Sequence, residues 1–185
     1  GYSRIPRSSA PPRICVFIEN MAYEHPEDFG WDLVTGFRKS AEPAGYTVDL
    51  IPLDITIQRE IHYDEYMLKH NYQGGFFLGL TFYDPWISDF KTCRTPTVFL
   101  DNRIQYNPML VHIGLDNDEG MEVAVKELKR LGHKTIGYLG GGLGSYVFQE
   151  RYLSFFKAIK KHHMTNDRKL AGHSHKSTQC IEENL

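Results

Sequence analysis

Arg151 and Asp116, with Phe29, Tyr23 and Thr81 as companions, are the side chains whose types and settings could do chemistry. That chemistry is binding, not bond-breaking. Arg151 lies in SYVFQERYLSFF, read as the first turn of a helix over 148–162. A cation there gains nothing from the helix dipole, which favours anions at that end. A guanidinium held in a cleft can take a carboxylate, a phosphate or a pair of sugar hydroxyls. A surface salt bridge with Glu150 or another acid is an equally weighted alternative. Asp116 opens Asp116-Asn117-x-x-Gly120. Its simpler role, and the weightier one on the residues alone, is to cap the following helix. Its functional role would be to accept ligand hydroxyls at a cleft rim.

Other candidates carry less. Gly140-Gly141-Gly142-x-Gly144 could cradle a phosphate through backbone amides near a helix start. It lacks the Gly-Lys-Ser/Thr ending of a P-loop and belongs to the last strand-helix connection, not the first. It reads instead as a flexible loop that lets backbone approach a ligand or a neighbouring subdomain. His162-His163 and His173-Ser174-His175 are histidine clusters without a third converging ligand, so no metal and no cofactor are expected. His133, just after the helix-ending Gly132, reads as a C-terminal cap. No Gly-x-Ser-x-Gly elbow, no His-Glu-x-x-His and no paired carboxylates stand out. Glu24, Glu27 and Asp28 read as a solvated loop. The first loop, ENMAYEHPEDFG, lacks Gly-x-Gly-x-x-Gly, which disfavours dinucleotide binding. A binding domain, not an enzyme, is the simplest class.

Alternating elements must position these residues. Arg13–Ile18 is a continuous apolar run, as in a strand covered on both faces. Phe29, Leu33, Val34, Phe37, Ala41 and Ala44 recur at helical spacing, with Gly45 as a left-handed end and Pro43 disturbing the last turn. A strand over 46–53 follows, then one helix over 54–70 with Ile55, Ile57, Ile61, Tyr66 and Leu68 inward. Strands over 74–80, 97–100 and 110–115 come next, with a short helix near 85–90. A helix over 117–131 turns Met121, Ala124, Val125, Leu128 and Leu131 inward. A sixth strand over 135–139 precedes the helix of Arg151, whose inward residues are Tyr152, Phe155, Phe156 and Ile159. Residues 169–171 begin another strand. The pattern predicts an α/β fold with a doubly wound parallel sheet, whose ligand site lies at the carboxyl ends of the strands.

The 185 residues suit one domain, or a domain and part of another. With 41% hydrophobic and 24% charged residues the profile is globular, and a net charge of −2 offers no basic face for nucleic acid. No apolar run approaches the roughly 18 residues of a membrane span, and the N-terminus has no secretory h-region. Cys15, Cys93 and Cys180 form no Cys-x-x-Cys pair and favour a reducing cytosol, with Cys15 a small core residue.

In order and spacing, TPTVFLDNR, HIGLDNDEGMEVAVKELKRLGHKTIGYLGG and ERYLSFFKAIKKH resemble the sensor core of the lactose-repressor (LacI/GalR) family. GGFFLGL and FGWDLVTGFRKSAEPAGY are similar to that family's Asp-Gly-Ile-Ile strand and first helix. GYSRIPRSS is similar to the segment following its helix-turn-helix. Gln73-Gly74 or Gly74-Gly75 stands where the family has Asp-Gly, Ser154 where it has glycine, and Asn102 where many members have arginine.

The resemblance implies a periplasmic-binding-protein-like type I fold, truncated. Residues 1–12 would be a linker after a missing helix-turn-helix, 13–163 the N-terminal subdomain, and 164–185 the crossover into a second subdomain. It implies a small-molecule effector, a sugar by expectation, whose binding closes two subdomains and changes how a homodimer presents its heads to a DNA operator. Arg151 matches the effector-binding arginine and Asp116 a cleft-lining aspartate. Phe29 or Tyr23 approximates a first-loop aromatic, and Thr81 lies on the third strand's exit loop. The implied location is cytoplasmic, with no membrane contact. A periplasmic-type sugar-binding protein for transport is the alternative, and an enzyme on a similar sheet a third possibility. The linker-like opening favours the regulator.

Overall fold

A computed structural model describes residues 10–165 and 168–174. Cys180 and His175 lie outside the described residues, as do most of the 1–12 linker and the end of the 164–185 crossover.

Arg13–Ile18 forms β1, and its side chains divide between two cores. Cys15 and Phe17 enter one cluster, while Val16 and Ile18 enter another. Both faces are covered, which is why the run is continuous and not alternating. The other strands are β2 (Thr47–Pro52), β3 (Tyr72–Leu78), β4 (Thr97–Leu100) and β5 (Leu110–Ile113). They form a five-stranded sheet in the order β2-β1-β3-β4-β5. The β1–β2, β1–β3 and β3–β4 pairs are parallel. The fold is therefore α/β with a parallel sheet, as the alternation predicts.

Helix α1 (Phe29–Ala41) lays Val34, Leu33, Phe37 and Ala41 on one sheet face, against Val16, Val48, Phe76 and Leu78. The opposite face is aromatic. Phe17 stacks on Phe77 with ring centroids 4.6 Å apart, and Tyr63, Trp86, Phe90 and Phe99 surround them. Such ring pairs contribute about 0.5–1.5 kcal/mol each beyond area burial.

The stretch 54–70 is not one helix. It divides into α2 (Ile55–Glu60) and α3 (Tyr63–Lys69), with Ile61 extended between them. Asp54 caps α2, accepting from the amides of Thr56 and Ile57 at 2.7 and 3.0 Å. The start of α3 is held by a distant residue: Asp89 accepts from the Tyr63 amide at 2.9 Å. The break resets the helical phase. Gln58, Tyr63 and Met67 become buried, while Ile55 and Leu68, expected inside, are exposed. The short helix near 85–90 is α4 (Trp86–Asp89).

The chain divides into two compact units. One holds the described residues up to Leu80, then Asp84–Leu100 and Ile104–His112; the other holds Thr81–Tyr83, Asp101–Arg103 and the described residues from Ile113 on. The second unit comprises α5 (Asn117–Arg130), β6 (Tyr138–Gly141), α6 (Tyr146–Lys161) and β7 (Ala171–Ser174). β6 does not extend the five-stranded sheet; it pairs in parallel with β7. The physical reason is the second unit's own core. Val125 of α5 packs with Phe155, Ala158 and Ile159 of α6, so the apolar stripes of the two helices cover each other. Gly45 and Gly132 take positive φ after α1 and α5, as helix-ending glycines do.

Candidate functional site

Arg151 belongs to the second turn of α6, not the first, because the helix begins at Tyr146 behind the cap Ser145. Its Nε donates to Asn117 Oδ1 at 3.1 Å. One of its terminal nitrogens lies 3.9 Å from Asp101 Oδ2, with the two side chains 32% and 22% exposed. No pairing with Glu150 forms among the described residues. A guanidinium carries five N–H donors. Apart from Nε these make no hydrogen bond to any described residue, so Arg151 is oriented and charge-balanced yet retains donor capacity.

Both partners are set by local backbone. Asn117 is the first residue of α5, placed by the cap that precedes it. Asp101 follows β4 with φ +52, and its amide donates to Ile113 O at 2.8 Å. Asp and Asn are the residues that tolerate this left-handed conformation best. Asn102 beside it is buried, and its Oδ1 accepts from the Arg103 amide at 2.8 Å.

The helix carrying Arg151 is clamped to α5. The buried Ser154 donates to Asp118 Oδ1 at 2.5 Å, and Lys157 Nζ reaches Asp118 Oδ2 at 3.0 Å. Ser154, foremost, and then Lys157 hold the Asp118 carboxyl below its usual range. Further along, Lys161 pairs with Glu122 at 2.6 Å, and Lys129 donates to His162 O at 2.7 Å. These ties fix the rotation of α6 about its axis, and with it the direction in which Arg151 leaves the helix.

The remaining predicted residues fall as follows. Asp116 is the N-cap of α5, and its Oδ1 accepts from the Glu119 amide at 2.9 Å. This is the capping role the residues alone favoured. Thr81 is in the second unit, and its Oγ1 accepts from the Tyr83 amide at 3.3 Å. The next residue, Phe82, donates its amide to Gly144 O at 2.9 Å, so the glycine loop is tied to 81–83 through its backbone. Tyr23 and Phe29 belong to the first unit. Tyr23 packs against the α1-side core, while Phe29 is 74% exposed at the start of α1. The structure therefore brings Arg151 together with Asn117 and Asp101, two residues not singled out as ligand groups from sequence. The available signal was Asp101-Asn102 closing a strand, a dipeptide suited to left-handed backbone. Among the described residues no group of three or more His, Cys, Asp or Glu could hold a metal ion. No helix among them is long and apolar enough to cross a membrane.

This architecture is the periplasmic-binding-protein-like α/β fold of LacI-family effector-binding domains. Three solved structures illustrate the likeness. A transcription regulator like protein from Staphylococcus haemolyticus superposes with a TM-score of 0.72 at 18% identity, over 93% of this chain and 64% of its own. The transcriptional regulator CelR in complex with cellobiose gives 0.67 at 19%, over 89% and 52%. A sugar-binding transcriptional regulator of the LacI family from Escherichia coli, complexed with phosphate, gives 0.62 at 19%, over 87% and 57%. The chain thus spans between half and two thirds of the length of these structures. No protein-family model and no curated protein sequence matches it.

Proposed function

We propose that this chain is the effector-sensing part of a LacI-type transcription regulator, and that its effector is a neutral, polyhydroxylated molecule, a sugar. The carrying observation is the pairing of Arg151 with Asp101 at 3.9 Å, both partly exposed. A sugar hydroxyl both donates and accepts. A guanidinium beside a carboxylate offers one partner of each kind to adjacent hydroxyls, through charge-assisted hydrogen bonds. The same carboxylate repels an anion, which argues for a neutral sugar over a phosphosugar. Of the structural neighbours one is complexed with cellobiose and another with phosphate, so the preference for a neutral ligand rests on the Asp101 charge. Asn117, Asp118 and Ser154 act as positioning residues. Asp116 and Thr81 are proposed as rim residues within the second unit.

In the whole protein, effector-driven closure of two subdomains would set how a cytoplasmic homodimer engages its DNA operator, through a helix-turn-helix not contained in these residues. That is a coupling free energy between two sites, and it requires no enzymatic step. The test is a thermal-shift panel of neutral sugars including cellobiose, phosphosugars and nucleobases, then calorimetry with the best ligand. Arg151→Ala is expected to lower affinity on the order of 100-fold, from two charge-assisted hydrogen bonds at about 1.5 kcal/mol each, while the fold stays intact and stability falls only by about 1 kcal/mol with the loss of the Asp101 and Asn117 contacts. Equal affinity in the variant would remove Arg151 from the site. Binding confined to phosphosugars would refute the neutral-ligand reading.

A further inference from the structure

Three glycines of the 140–144 loop are covered by aromatic rings. A Cβ at Gly140 would stand 2.5 Å from Tyr138 Cε1, and one at Gly141 2.6 Å from Phe148 Cε2. A Cβ at Gly144 would stand 2.9 Å from Tyr83 Cε2 and 3.5 Å from its Cδ2. Two of these rings are ordinary packing. Tyr138 and Phe148 are half-buried, and Tyr138 pairs with Phe155 and Tyr152 at 5.2 and 5.7 Å.

Tyr83 differs. It is 77% exposed, belongs to no core cluster and makes no ring pair among the described residues. Its place is nonetheless set by the backbone. The Tyr83 amide donates to Thr81 Oγ1 at 3.3 Å, and the amide of Phe82 donates to Gly144 O at 2.9 Å. One edge of the ring therefore rests on the glycine loop while most of its surface stays open. Arg151 and Asp101 belong to the same unit as Tyr83. Gly144 precedes Ser145, the cap of α6, and Arg151 lies in the second turn of that helix. From Ser145 to Arg151 the rise is about 9 Å at 1.5 Å per residue, and a helical side chain leans back toward the N-terminus. One small ligand spans that interval.

We propose that Tyr83 is a specificity-determining residue that selects a ring-form sugar, by taking the C–H face of a pyranose on its open surface while Arg151 and Asp101 read the hydroxyls. The inference rests on the reading of the chain as a sugar sensor. The charged pair alone serves any polyol with adjacent hydroxyls, cyclic or open-chain. A pyranose differs in holding several C–H groups on one side of a rigid ring. Removing that apolar face from water against an aromatic ring is favourable. An open-chain hexitol carries similar hydroxyls but has no fixed apolar face, so the Tyr83 ring separates the two.

The test is a set of NMR titrations of the 185-residue chain with cellobiose, glucose and sorbitol, in wild type and four variants. Wild type is expected to bind the better ring sugar about tenfold more tightly than sorbitol, the worth of one aromatic contact. Tyr83→Ala should lose that margin and leave sorbitol affinity unchanged, while Tyr83→Phe keeps the margin. Gly144→Ala should narrow it too: Gly144 is not among the positive-φ glycines, and the nearest atoms its new Cβ meets all belong to the Tyr83 ring. If Tyr83→Ala keeps the margin while Arg151→Ala weakens every ligand, the sensor reading survives and the role of Tyr83 is refuted. If Tyr83→Ala weakens sorbitol and the ring sugars alike, the ring is a structural prop and the selection is refuted. If neither sugar nor sorbitol binds wild type, both readings fall. Should Gly144→Ala fail to fold, the comparison of Tyr83→Ala with Tyr83→Phe decides.

Discussion

Replacing Asp101 separates the two jobs this residue performs at the site. Its carboxylate faces Arg151 at 3.9 Å, the outer limit of an ion pair, with no direct hydrogen bond between them. At that distance and an effective dielectric near 20 the gross attraction is about 4 kcal/mol. Both side chains remain partly exposed, so solvent and the entropy of two long side chains reduce the net contribution to about 0.5–1 kcal/mol. Its backbone, at φ +52, sits where a residue with a plain Cβ pays about 1–2 kcal/mol and an asparagine very little. Asp101→Asn should therefore cost about 0.5–1 kcal/mol, and Asp101→Ala about 2 kcal/mol, adding the ion-pair and backbone contributions. Urea unfolding at pH 7, in low and high salt, reads both. The loss in the Asn variant should shrink with salt, while the additional loss in the Ala variant should not, because strain is not screened. Equal losses in the two variants would refute the left-handed argument. A loss above about 3 kcal/mol for Asp101→Asn would make the pair a structural lock, and Arg151 would no longer be a group held ready for a ligand.

Two further outcomes test the packing around the sheet. Gly79→Ala would place its Cβ 1.7 Å from Glu19 O at φ +83, so the backbone leaving β1 and β3 has to move. A loss of about 3 kcal/mol or more is expected from left-handed strain plus disturbed backbone hydrogen bonds. Gly36→Ala, with nothing within 4 Å in the middle of α1, should instead stabilise by up to about 1 kcal/mol; similar urea midpoints for the two would contradict the geometry. Burial pushes the Cys15 thiol far above its ordinary range and Cys93 up to about 11. Both should resist maleimide in the native chain at pH 8 and react only in guanidinium; peptide mass spectra showing native labelling of Cys15 would refute its fully buried placement.

Several elements were legible in the sequence because their signals are local. The continuous apolar run of β1 announces a strand covered on both faces, and that is how Cys15/Phe17 and Val16/Ile18 divide. Asp116 before α5 and Gly132 after it mark that helix within a residue. The helical break at Ile61 was not legible. The carboxylate that starts α3 is Asp89, 26 residues beyond Tyr63, and no local rule points to it. The assignment of β6 was not legible either, because an apolar run of strand length carries no mark of which sheet it joins.

The same division runs through the site. The sequence alone determined that Arg151 would stand on a helix following the last glycine-rich connection, since periodicity and glycine placement are properties of the local chain. Only the tertiary structure decided which groups face that arginine. Its partners Asn117 and Asp101 come from the start of α5 and the end of β4, 34 residues away in the case of Asn117. A clamp of Asp118 on Ser154 and Lys157 sets its direction. Hydrogen bonds and ion pairs act over a few ångströms of space whatever the separation along the chain. Which groups complete a donor–acceptor pair is therefore set by how helices and strands pack, and spacing in the sequence does not encode it.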